Sequence, residues 1–385
     1  MMRAYQLLTV FGLAGVLAFS VPFGVMAQVE KPEDMDEVTW AKLQDNILEY
    51  DEIADLVENY NPTYRQVIDQ IDMNAQIFRD AAQELRDAAD ESRSDAKEVK
   101  DSNPIMYKAF QGASEGYRKA AKRFEDAVDS VYNNLEVRHN LSRIRKMTTS
   151  GVQQMMIGYY QALASKELVD TAVELAQAAY DSTVTQLAIG MATATDVQAA
   201  EKSLQGAMAQ QQSLQDSLNS LLQQMRMMTG WSYDADMVLG EVPQPDLARI
   251  ATMNPINDLE RAIGNNYTLI NLRSMSGKGT ANRNIKFGLM DDAEGKVKVE
   301  LESLYQSILE GKTAYEAATT AFQAAQITMD GNELKNQMGM LGRLEYLQLK
   351  MAYLQQKVAL TTASLNLRQD MENYDWAVQG LADVE

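Results

Sequence analysis

Apolar residues fall on a heptad over long stretches of this chain. From Val197 onward, Val197, Ala200, Leu204, Ala207, Gln211, Leu214, Leu218, Leu221, Met225 and Met228 follow one another at spacings of three and four without a slip. Such spacing keeps one stripe of a helix facing a partner, so this is the seam of a coiled coil. The stretch before it carries the same period in Val169, Val173, Ala176, Tyr180, Thr183 and Leu187. Between the two lies Ile189-Gly-Met-Ala-Thr-Ala-Thr-Asp196. Gly190 can take the left-handed conformation that ends a helix, and Thr195 or Asp196 can cap the next one. The pattern predicts two long antiparallel helices meeting at a tight polar turn.

The unit occurs twice. Gly339-Met-Leu-Gly-Arg-Leu-Glu345 supplies a second turn, followed by a seam of Leu344, Leu347, Met351, Leu354, Val358, Thr361 and Leu365. Gly190 and Gly339 match at an offset of 149 residues, which marks an internal duplication. The expected fold is all-α, two tandem helical hairpins.

The remaining pattern divides the chain. Residues 1–27 read as an export signal: Arg3, then an apolar run from Leu7 to Val25, then Val25-Met-Ala27 before a cleavage point. An uncleaved anchor is the alternative, because the run approaches the ~20 residues that span a bilayer. Residues 28–46 form an acidic leader without a clear period, expected to pack along the outside. The first repeat occupies 47–232, a connector 233–250 and the second repeat 251–380. Helical spacing begins near Ile47, with Ile53, Leu56 and Val57 on one face. Asn59-Tyr-Asn-Pro62 interrupts it, and Pro62 suits the first turn of a new helix. That helix runs towards Lys100 through Ile68, Ile71, Ala75, Ile77, Ala82 and Leu85. Asp101-Ser-Asn-Pro104 reverses the chain. Helical signal then continues from Ile105 to Ile189, about 130 Å if unbroken, with a weak point at Thr148-Thr-Ser-Gly151. Residues 274–297 read as a distal loop, and the last helices as 298–336 and 342–373.

Composition removes several classes of function. The formal charge is −19 and no Lys/Arg-rich block occurs, which argues against nucleic acid. There is no cysteine, hence no disulfide, thiolate metal site or lipidated N-terminal cysteine. The single histidine, His139, sits among Arg138, Asn140 and Arg143 without partners for metal or base chemistry. Gly277-Lys278-Gly279-Thr280 lacks the preceding strand and glycine spacing of a phosphate loop. Met155, Met156, Met225, Met227 and Met228 suit helix packing better than copper ligation. No nucleophile–base pair or ligand cluster suggests an enzyme or a cofactor.

Four features together resemble the TolC-like outer-membrane efflux family. They are the turn Ile189 to Gln198, the arm ending in Met-Thr-Gly230, Asn61-Pro62 with its weaker echo at Asn266, and the connector Leu239 to Leu247 with Val-Pro-Gln-Pro-Asp246. The resemblance covers roughly residues 47–380. It implies a homotrimer whose hairpins close a helical barrel in the cell envelope. The tips would dock onto a membrane-fusion adaptor of an inner-membrane exporter through Gly190, Thr195, Asp196, Gly339, Leu341 and Glu345. Asp330 and Glu333 are candidates to face the lumen, or else the solvated outside. The family also places two β-strands between the first and second helix of each repeat, three chains closing them into a barrel. Membrane strands need ~9–11 alternating residues, and neither 93–122 nor 274–299 supplies them. Asn284-Ile-Lys-Phe-Gly-Leu-Met290 is too short. The barrel is therefore expected to be missing. Two functions stay open: an efflux conduit, and an extracytoplasmic coiled-coil scaffold without a pore.

Overall fold

A computed structural model describes residues 35–43, 45–275, 277 and 279–384; the expected signal segment and most of the leader lie outside them. After α1 (Glu37–Leu43), β1 (Ile47–Leu48) pairs in parallel with β2 (Val238–Leu239) of the connector. Ile47 is thus strand, not helix. This two-stranded pair is the only sheet among the described residues, and 93–122 and the described part of 274–299 contain no strand. The leader's end does not lie outside either. Leu43, Leu48 and Tyr50 are buried in a core with Ile53, Val57, Val152, Met156 and Met225. Helix, strand and turn follow within a few residues there, so no single period could betray the burial.

The helices of the first repeat are α2 (Ile53–Tyr60), α3 (Pro62–Val99), α4 (Pro104–Tyr132), α5 (Leu135–Ala164), α6 (Lys166–Ala188) and α7 (Ala194–Met228). The second has α8 (Leu247–Ile250), α9 (Pro255–Asn265), α10 (Tyr267–Ser274), α11 (Thr280–Gln337) and α12 (Arg343–Trp376), closed by a π-helical turn at Ala377–Leu381. The long helix expected over 105–189 is broken elsewhere than at Thr148–Gly151, which lies inside α5. It stops at Asn133, and Asn134 restarts it by accepting a hydrogen bond from the Glu136 amide. A second, slight break falls at Ser165. The expected distal loop is mostly helix. From Met290 to Asn336 the less exposed positions of α11 recur every three or four residues, with Ala293, Val297, Leu301 and Ile308 buried. Gly288 and Gly295 face open space, so they lower helix propensity without disturbing that seam. The helix runs 58 residues, about 87 Å.

α3 and α4 form an antiparallel two-helix arm. Alanines at every seventh position, Ala75, Ala82, Ala89 and Ala96, are buried in its seam. They let the backbones approach closely enough for the Ser114 hydroxyl to donate to the Ala89 carbonyl at 2.7 Å. Ile77, expected inward, is 57% exposed; Phe78 takes the seam position against Phe124.

The other long helices form one layer. α7 packs on α5 and α6, these on α12, and α12 on α11. The heptad reading holds along α7: Leu204, Leu218 and Met225 are buried, Leu214 and Leu221 half-buried, while Gln211 is exposed and donates to Asp170 at 2.7 Å. Along α6, Val169 is buried and Leu187 exposed. In α12, Leu347, Leu354 and Leu365 are buried as expected. Met156 and Met225 fill the core, whereas Met227 is largely exposed. No described helix is long and apolar enough to cross a membrane.

Candidate functional site: two hairpin tips and a paired joint

Both tips end their first helix by the same hydrogen bonds. At the first, the Gly190 amide donates to the Leu187 carbonyl at 3.0 Å and the Met191 amide to Gln186 at 2.7 Å. At the second, Gly339 donates to Asn336 at 2.9 Å and Met340 to Lys335 at 2.9 Å. This double closure requires a left-handed residue, and the two glycines have φ of 75° and 70°. The restarts differ. Thr193, not Thr195, is the N-cap of α7; its hydroxyl oxygen accepts from the Asp196 amide, and the Asp196 carboxylate accepts from the Thr193 amide at 2.8 Å. The Thr193 hydroxyl, which donates to the Asp196 carboxylate at 2.7 Å, and then the Thr193 amide hold that carboxyl below its usual pKa. Thr195 lies in the first turn of the helix. α12 starts at Gly342 with no side-chain cap.

The structure leaves Gly190, Thr195, Asp196, Gly339 and Glu345 exposed and Leu341 half-buried. Asp330 and Glu333 are exposed beside the buried seam residues Met329 and Asn332. Four residues were missed. Ile189 is 66% exposed, Met191 76%, Met338 61% and Met340 68%, so each tip presents an apolar residue on either side of its glycine. The signal was available: an apolar–Gly–Met triplet occurs at both turns.

The two tips emerge at one end. Contacts between the hairpins run antiparallel: Lys357 donates to Glu167 at 2.8 Å, Gln161 to Asn366 at 2.7 Å, and Trp376 to Gln153 at 2.9 Å. Gln153 and Trp376 stand equally far along the chain from Gly190 and Gly339, which sets the tips at matching heights.

At the far end of the layer a joint is also built twice. Asn61 and Asn266 are both buried N-caps with nearly identical backbone angles, accepting from the Tyr64 and Leu269 amides. Each asparagine also donates to the end of the returning arm: Asn61 to the Met228 carbonyl at 2.6 Å, Asn266 to that of Ala382 at 3.0 Å. Against each joint lies a glycine of positive φ. A Cβ on Gly230 would sit 2.3 Å from the Tyr60 carbonyl oxygen, and one on Gly380 2.2 Å from that of Asn265.

Charge inside the layer is sparse. Arg368 pairs with Glu372 and stacks over Tyr50, and Arg249 pairs with Asp375, tying the start of the first repeat and the connector to α12. Burial raises the pKa of Glu372, and burial alone lifts Asp370, which faces Gly311 of α11, to about 6.

No protein-family model matches the chain, and no curated protein matches it. Among solved structures it is similar to the CmeC outer membrane channel of Campylobacter jejuni, at 12% identity over 68% of this chain and 69% of that one, TM-score 0.44. A membrane protein from Pseudomonas aeruginosa is 14% identical over 86% and 93%, TM-score 0.47. The outer-membrane channel OprN is 9% identical over 94% and 98%, TM-score 0.49.

Proposed function

We propose that this chain is one third of an exported α-helical conduit. In this reading three copies ring together in the cell envelope and dock by their hairpin tips onto a membrane-fusion adaptor of an inner-membrane exporter. The observation that carries the reading is a layer of antiparallel helices with two open edges and both of its turns at one end.

The edges are α7 and α11, and each bears a second, exposed stripe besides its seam. On α7 it includes Ala199, Gly206, Ala209 and Ser213; on α11, Ala314, Ala317, Ala321 and Ala324. Small residues at heptad spacing permit close helix approach, and an edge of one kind meeting an edge of another closes a ring. Six tips at one height then form a rim. The exposed Ile189, Met191, Met338 and Met340 give that rim an apolar surface for a partner. Asp330 and Glu333, on the other flank of α11 from its small stripe, are the proposed lumen acids. The residues ask for no catalysis and no cofactor in this role.

The test uses cysteines placed at Met191 and Met340 of the exported chain, which has none of its own. Crosslinking in cells should join both positions to the same exporter adaptor, and Gly190→Val should lower export while the protein remains folded. Crosslinks confined to cell-wall components, with export intact, would replace the conduit by the scaffold.

A further inference from the structure

We propose that the contact between copies continues past the joints: the start of α11 in one copy packs on the base of α3 in the next. The inference rests on the reading that copies close a ring through the α7 and α11 edges. It names a second contact, beyond the layer, that this reading leaves open.

The base of α3 extends the open edge of α7. Asn61, which caps α3, donates to the Met228 carbonyl at the end of α7. On the inner side, α4 passes into α5 through Asn133 and Asn134 alone. α3 packs on α4 as α7 packs on α5, so the arm repeats beyond the joint the side-by-side order of the layer. Ala75 and Ala82 are buried in the seam with α4. Helical periodicity puts Met73 and Ile77 on the opposite side of α3, where they are 61% and 57% exposed. They lie on the same side of the molecule as the open face of α7.

On the other edge, α11 keeps one exposed stripe over most of its length. Ala314, Ala317, Ala321 and Ala324 belong to it, and the same periodicity carries it back through Val299 to Gly288, Ile285 and Ala281. All are exposed, Ile285 and Val299 by 60% and 66%. A Cβ on Gly288 would meet nothing, so this glycine leaves room for a side chain from outside. Asp292 and Lys296 share the stripe and pair with each other at 3.2 Å.

The two apolar segments stand at one height. Within the layer, residues equally far from Gly190 and Gly339 are level, as Gln153 and Trp376 are, so Met228 is level with Leu301. Met73 and Ile77 lie 12 and 16 residues past Asn61, and Leu289 and Ile285 lie 12 and 16 residues before Leu301. Tyr132, at the foot of α4, donates to Asp72 at 2.9 Å, so α3 runs away from the tips alongside the start of α5. Rotation about a ring axis preserves height. It brings Met73 and Ile77 of one copy onto the segment Ala281 to Leu289 of the next, to within about one helical turn. The acids flanking the apolar pair, Asp69 and Asp80, meet no bare like charge there: α11 carries Arg283 and Lys286 and no acid between Thr280 and Met290. The two faces belong to opposite edges of one chain, and a second copy is the partner that covers both.

The experiment uses the full chain. Ile77→Cys with Ile285→Cys places thiols on opposite edges, and Met73→Cys with Ile285→Cys samples the register one turn away. Oxidation of one or both pairs should yield covalent trimers. Ser213→Cys with Ala317→Cys reports the layer edges, since both lie similarly far from their turn glycines. Trimers from the layer pair and none from the other two would overturn this contact and leave the conduit standing. Trimers from none of the three would overturn both. Separately, Ile77→Asp and Ile285→Asp should each raise the concentration at which trimers dissociate at least tenfold. Ile105→Asp, at an 82% exposed residue in the turn of the arm, should leave it unchanged. Losses at Ile77 and Ile285 no larger than at Ile105 would overturn the contact.

Discussion

The two repeats share their ends and differ in the middle. Each has a glycine turn closed by the same hydrogen bonds, and each has an asparagine-capped joint pressed against a positive-φ glycine. Between joint and tip, the first repeat inserts the α3–α4 arm and reaches its turn through α5 and α6, with a break at Ser165. The second makes one eight-residue helix, α10, and then the 58-residue α11. Sameness is concentrated where backbone geometry is demanding, at left-handed turns and buried caps. The stretches between need only a seam, and a seam tolerates insertion so long as its period resumes. That is why a protruding arm coexists with a layer whose two halves still align at both ends.

The seams should respond alike in both repeats, and most strongly. Leu218→Asp and Leu354→Asp each put an uncompensated charge into a buried position, at a cost of roughly 3–5 kcal/mol. Denaturant titration should show both losses; a variant that unfolds like the wild type would remove its repeat from the comparison.

Joint and tip glycines separate next. Gly230→Ala and Gly380→Ala combine a positive φ with a backbone collision, so the neighbouring chain must move, and each should lose about 2–4 kcal/mol. Gly190→Ala and Gly339→Ala meet open space and should lose only the conformational ~1 kcal/mol. Equal losses at joint and tip, measured by thermal melts, would contradict the packing described at Tyr60 and Asn265.

The capping difference between tips gives a smaller effect. Thr193→Ala removes a capping box and should destabilise by about 1 kcal/mol, while Gly342→Ser in the uncapped second tip should gain a few tenths. Hydrogen exchange of the first turns of α7 and α12 would resolve both signs.

Asp370 distinguishes the second seam by pH. Its folded pKa, about 6, lies above the unfolded value, so the fold favours the protonated acid. Stability contributed at this site is present below the unfolded pKa and is lost as pH rises through 6. Asp370→Asn should therefore melt higher than the wild type at pH 7, and the gain should vanish by pH 4. A gain independent of pH would mean that the carboxylate is not the cause.

Much of this architecture was legible in the residues. The heptads of α7 and α12, both turn glycines, Asn61-Pro62 and the lack of strands over 93–122 and the described part of 274–299 follow from periodicity and backbone chemistry alone. What was misread has physical reasons. The start of α11 is rich in Gly, Asn and Lys, and propensity cannot tell a glycine on a solvated face from one in a loop. Asn133-Asn134 stops a helix without proline or glycine. Ile77 and Phe78 are adjacent, and only the partner helix decides which is inward. Thr193 and Thr195 are equally good caps until the glycine turn sets where the helix restarts.

The claim at the centre is a ring of three copies around water. Mass measurement and electron-microscopic imaging of the protein test it most directly. The account predicts a trimer with a hollow axis and six tips on one rim. A monomer, or an assembly whose axis is filled by packed side chains, would contradict it.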